Sequence, residues 1–154
     1  MRLIVILLMC LSIQFCSENQ ILPKKILDYH LTQKVTGIEA QKIVNKIHLN
    51  PVTEIENEIG YYQNGDDKAI IYITYYSSDD DAQADLIKMV DKISPQNSIF
   101  LNGGQVEINK ITAYRYFGMG QTHFIFRVDN ILVWLSVDTM IAKEFLELYL
   151  QKIN

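Results

Sequence analysis

Between THFIFRV (122–128) and ILVWLSV (131–137), only Asp129 and Asn130 remain to reverse the chain. Two residues are enough for a hairpin and far too few for a crossover, so this pair commits the sequence to antiparallel pairing. Asn64-Gly65-Asp66-Asp67 sits in the same way between EIENEIGYYQ (54–63) and KAIIYITYY (68–76). Its Asn-Gly is the strongest short-range hairpin signal a sequence can carry. After Asn102-Gly103-Gly104 come two further runs, QVEIN (105–109) and ITAYRYF (111–117). The run 68–76 is apolar on both parities, with Ala69, Ile71, Ile73 and Tyr75 against Ile70, Tyr72, Thr74 and Tyr76, and reads as an interior strand.

Three helical patterns are interspersed with these runs. Thr36-Gly37-Ile38-Glu39 has the form of a capping box and opens a helix from about 37 to 48, striped by Ile38, Ala40, Ile43, Val44 and Ile47. Ser77-Ser78-Asp79-Asp80-Asp81 supplies a cap and first-turn carboxylates for a helix over 80–93. Asp138 caps the third, 139–152, striped by Met140, Ile141, Phe145, Leu148 and Tyr149. The predicted order is α-β-β-α-β-β-β-β-α. It implies an α+β domain with a mainly antiparallel sheet of about five to six strands and three helices packed on one face. The opposite face is then exposed, covered by residues 20–35, or buried in a partner.

The N-terminus has a different character. Arg2 precedes LIVILLMCLSIQF (3–15), and the apolar run ends at Cys16 and Ser17. A charged n-region followed by a short apolar h-region is signal-peptide anatomy, and the run is shorter than the roughly 20 residues a spanning helix needs. Residues 1–17 are therefore read as a signal peptide, 18–35 as a tether and lead-in, and 36–154 as one domain. ILDYHL (26–31) suits a short strand or a helical turn. Cys10-Leu11-Ser12 is the best small-x-small triplet for cleavage; lipidation on Cys16 and an uncleaved anchor are the alternatives. The expected location is periplasmic, cell-surface or extracellular, with membrane contact only through this N-terminal segment.

Both cysteines, Cys10 and Cys16, lie in that leader. The domain behind it can build no disulfide, zinc cluster or thiol nucleophile and must be held by its core. The whole chain carries a net charge of −4, and one of its 14 lysines and arginines, Arg2, belongs to the leader. An acidic domain whose one basic pair is Lys24-Lys25 is poorly suited to nucleic acid.

Chemistry-bearing patterns are sparse. Asp66-Asp67 and Asp79-Asp80-Asp81 suggest a calcium site, but they flank the strand 68–76 and so lie about 30 Å apart. There is no Gly-x-Ser-x-Gly elbow, phosphate loop or dinucleotide fingerprint, and Glu54, Glu56 and Glu58 alternate along what reads as a wet strand face. Gly118-Met119-Gly120-Gln121-Thr122-His123 is the most unusual stretch. His123 as a base or metal ligand, with Met119 as a soft second ligand, defines an enzyme or a metal- or haem-binding protein. A tight turn followed by an ordinary strand histidine explains the same residues.

The broader feature is aromatic. Tyr72, Tyr114, Tyr116 and Trp134, with Ile125 and Arg127, fall on strand parities that give the sheet a second, partly apolar face. Tyr and Trp are typical of recognition surfaces, although aromatics also favour strands for packing alone. The expectation is an exported, non-catalytic binding or interaction module, with no cofactor. It uses those six residues to hold an apolar or aromatic small ligand, a protein partner or a second copy in a homodimer. The closing stretch FRVDNILVWLSVDTMIAKEFLELYL resembles, in general form only, the ends of small bacterial extracytoplasmic α+β domains, which implies location rather than activity.

Overall fold

A computed structural model describes residues 20–47, 56–93 and 99–153. The leader 1–17 with Cys16, and His48, lie outside the described residues. Among those residues the elements are β1 (Lys25–Ile26), β2 (Tyr29–Thr36), α1 (Gly37–Ile47), β3 (Glu56–Asn64), β4 (Asp67–Tyr75), α2 (Asp79–Lys92), β5 (Leu101–Ile108), β6 (Ile111–Gly118), β7 (Gln121–Val128), β8 (Ile131–Asp138) and α3 (Ala142–Ile153).

All eight strands form one antiparallel sheet in the order β1-β2-β3-β4-β8-β7-β6-β5. The fold is α+β with an antiparallel sheet, and six of the strands are those the turns announce. β1 and β2 raise the count beyond five to six: ILDYHL takes the strand option, and β2 pairs with β3 from His30↔Gln63 to Thr36↔Glu58. These strands read weakly in sequence because they lie at an edge. Of β2 only Tyr29 and Val35 are buried, so no sustained alternation marks it.

Tight turns set the registers. Met119 and Gly120 both have positive φ, 54° and 76°, as a type I′ turn requires, so β7 returns directly along β6. Gly65, also at positive φ, starts the β3–β4 turn. α2 is capped by Ser78, whose Oγ accepts the Asp81 N–H at 3.2 Å. α3 begins three residues later than its stripe suggests, because Asp138 uses its carboxylate on the Met140 N–H in the turn ahead of it.

The helices do not share a face, which corrects the expectation of three on one side. α3 packs Phe145, Leu146, Tyr149 and Leu150 against Ala69, Ile71 and Ile73 of β4, Phe124 and Phe126 of β7, and Val133, Leu135 and Val137 of β8. α1 and α2 cover residues of the opposite parity: Val35 and Ile59 lie under α1, Ile125 and Leu132 under α2. The physical reason is in the central strands. β4, β7 and β8 are apolar on both parities, and each parity needs its own cover.

The lead-in is locked into the α3 side. Leu22 lies against Gly60, where an added Cβ would come within 2.9 Å of Leu22 Cδ2 and of Tyr62 Cε2. The Tyr149 hydroxyl donates to the Ile21 carbonyl at 3.0 Å. Tyr62, by contrast, buries its hydroxyl without a hydrogen-bond partner, and burial holds its pKa well above the usual phenol value. A desolvated, unpaired hydroxyl costs about 1–3 kcal/mol. Tyr62→Phe is therefore expected to leave stability unchanged or to raise it by about 1 kcal/mol in urea denaturation. A loss of that size would mean that the hydroxyl has a partner.

Candidate ligand slot between the two helices

The sequence-selected residues meet on one face in one row. Tyr72 of β4 stands opposite Trp134 of β8, Trp134 opposite Ile125 of β7, and Ile125 opposite Tyr114 of β6. Tyr116 and Arg127 share this face one step to either side of the row, Tyr116 level with His123 and Arg127 level with Leu132.

The face is not open along its whole length. α2 lays Ala82, Leu86, Met89 and Val90 over it, leaving Tyr116 3% exposed and Ile125 fully buried, with Tyr114 half-buried at the border. Arg127 fastens this helix to the sheet. Its Nε donates to Gln83 Oε1 at 3.2 Å, one terminal nitrogen donates to the Asp129 carbonyl at 2.6 Å, and Asp79 lies 3.8 Å away. Tyr76 adds a second pin, its hydroxyl donating to Asp85 Oδ2 at 3.0 Å.

α1 covers the other flank, with Ala40 and Val44 packed on Val35 and Ile59. Because α1 rests on β2 and β3 while α2 rests on β7 and β8, β4 runs between them. Three strand spacings of about 4.8 Å place the helix axes about 14 Å apart, against 8–10 Å for helices in direct contact. Helices with their side chains are about 10 Å thick. Among the described residues, this spacing leaves a candidate slot a few Å wide over β4. Its floor is Tyr61, Ile70, Tyr72 and Trp134, all half-buried. Tyr61 and Ile70 were not selected from sequence, although the parity that groups Tyr72 with Trp134 also includes Ile70.

Trp134 is held in place on the floor of this slot. Its Nε1–H donates to His123 Nδ1 at 3.2 Å, and His123 Nε2 lies 3.1 Å from the Gly118 carbonyl. The indole has only a donor to offer, so Nδ1 is the acceptor and Nε2 carries the hydrogen. Phe100 completes the box, its ring centroid 4.8 Å from His123 and 5.8 Å from Trp134, both edge-on. Its ring also fills the space that a Cβ on residue 118 would need, which accounts for the first glycine of Gly118-Met119-Gly120. Burial pushes the His123 pKa below the usual histidine value, opposed by the Gly118 hydrogen bond.

His123 thus has both ring nitrogens bonded within the protein, and a metal there would have to displace Trp134 or the Gly118 carbonyl. Met119 sits at the tip of the β6–β7 turn, 76% exposed. The structure does not present the two to a common opening. Among the described residues, no group of three or more His, Cys, Asp or Glu is arranged to hold a metal ion.

Fold and candidate site together define a class only: an antiparallel sheet covered on both faces, with half-buried aromatic side chains between two helices. No protein-family profile, curated protein or solved structure matches the chain.

Proposed function

We propose that this chain is an exported, non-catalytic binding module and that its ligand is a flat apolar or aromatic small molecule seated in the slot over β4. The observation that carries this reading is the side-by-side pair Tyr72 and Trp134, half-buried between α1, which rests on β2 and β3, and α2, which rests on β7 and β8. Rings held at fixed positions give a planar ligand large contact area at little entropic cost. The export component rests on the leader anatomy of residues 1–17.

Trp134 is the chain's one tryptophan, so its fluorescence reports on the slot directly. Protein recovered after export, with its mature N-terminus defined by mass spectrometry, is titrated with the neutral probe N-phenyl-1-naphthylamine. Saturable quenching of Trp134 is expected. Tyr72→Ala should weaken binding about tenfold, the loss of one aromatic contact, and Tyr75→Phe on the opposite face should leave it unchanged. Absence of saturable quenching, or equal binding by Tyr72→Ala, would exclude the slot as a ligand site.

A further inference from the structure

β5 forms one margin of the sheet and, among the described residues, pairs only with β6. The margin at the other end is shielded: β1 lies along the start of β2, and the Leu31 N–H is taken by the Lys24 carbonyl. Farther along β2, Lys34 is ion-paired with Glu58 at 2.8 Å. β5 has a bulge at its start, between Asn102 and Gln105, but from Gln105 to Ile108 its register against Tyr114 to Ile111 is unbroken.

The closing pair of a two-residue hairpin, here Ile108 and Ile111, is a hydrogen-bonded pair, and such pairs alternate along the ladder. Ile108 and Val106 therefore direct their backbone groups to β6, while Gln105 and Glu107 direct theirs away from the sheet. Both of these side chains are exposed, and Glu107, which accepts a hydrogen bond from the Thr112 hydroxyl, is the single charge on β5. An edge with outward amides and so little charge is a template for another strand.

We infer that β5 pairs antiparallel with β5 of a second copy of this chain, centred on Val106. Strands can pair at this edge only where outward-directed residues meet, which leaves three registers. Centring on Glu107 sets two carboxylates face to face. Centring on Gln105 drives the partner strand into the bulge, where the Gly103 carbonyl is already held by Arg115 at 2.6 and 3.0 Å. Centring on Val106 sets Gln105 opposite the second copy's Glu107, and by two-fold symmetry does so twice. A carboxamide donor then meets a carboxylate at both positions, and the outward backbone groups of both residues are paired.

The test is sedimentation equilibrium on the mature chain at concentrations up to about 1 mM, the weak end of specific association. A monomer–dimer equilibrium is expected. Gln105→Glu opposes two pairs of carboxylates and should raise the dimer dissociation constant about tenfold, whereas Gln105→Lys should lower it and make it salt-sensitive. Circular dichroism melts of both variants confirm that the monomer fold is intact, since residue 105 is exposed. A chain that stays monomeric throughout, or one whose two variants dimerise like the parent, overturns the β5 interface.

Discussion

Replacing Phe145 with alanine is expected to remove about 3–5 kcal/mol of stability, the range for deleting a fully buried phenylalanine. Phe145 is completely buried on α3. It meets Tyr29 of β2 edge-on at 5.4 Å and Tyr62 of β3 edge-on at 6.4 Å. One ring therefore joins the last helix to strands that lie more than eighty residues earlier in the chain. With a typical domain stability of about 5–15 kcal/mol, the variant should unfold at much lower urea or fail to accumulate. Phe145→Leu refills part of the cavity and should recover roughly half of the loss. A cost below about 1 kcal/mol for Phe145→Ala would mean that α3 is not seated on this face.

That seating is the part of the fold which sequence patterns specify least. Two-residue turns and alternating apolar residues make six of the strands and their antiparallel sense legible, because both signals are local. Which face a helix takes is not local. The stripes on α1, α2 and α3 show that each buries one side, and nothing in a stripe says on which side of the sheet. The decisive sign is the double-sided apolarity of β4, with Ile71 and Ile73 on one parity and Ile70 and Tyr72 on the other. An interior strand of that kind needs cover on both faces.

The candidate site is legible to the same depth. Parity alone groups Tyr72, Trp134, Ile125 and Tyr114, and the structure aligns them in one row. The lid over half of that row, and the use of Arg127 as a fastener for α2, depend on the path of a helix that precedes these strands in sequence. The contact between His123 and Trp134 is different. The two-residue turn at Asp129-Asn130 fixes His123 opposite Ser136, which makes Trp134 its diagonal neighbour on the same face. That relation was within reach of the sequence. Phe100 was not, since it lies ahead of β5 in a stretch with no periodic pattern.

The His123 box has a measurable consequence in pH. The imidazole is buried and neutral, its pKa held below the ordinary value of 6.5 mainly by burial. Around it stand Tyr116 across β6, Trp134 and Ser136 on β8, and Phe100, none of them carrying charge. In the unfolded chain the same side chain takes up a proton near pH 6.5, while in the folded chain it does not. Its contribution is therefore fully present above that pH and is lost as pH falls below 6.5 toward the depressed folded-state value. The slope from this one group is at most about 1.4 kcal/mol per pH unit. Protonation would also turn Nδ1 into a donor facing the Trp134 Nε1–H, so the indole must give up this contact as the proton binds. Urea denaturation of the parent chain and of His123→Gln between pH 7.5 and 4.5 isolates this effect, because the carboxylates titrate in both. Glutamine keeps an acceptor for Trp134 and cannot be protonated, so the parent should lose stability more steeply through this window. The parent's Trp134 emission should shift over the same range while that of His123→Gln stays constant. Parallel stability curves for the two proteins would show that His123 is not held neutral by the fold.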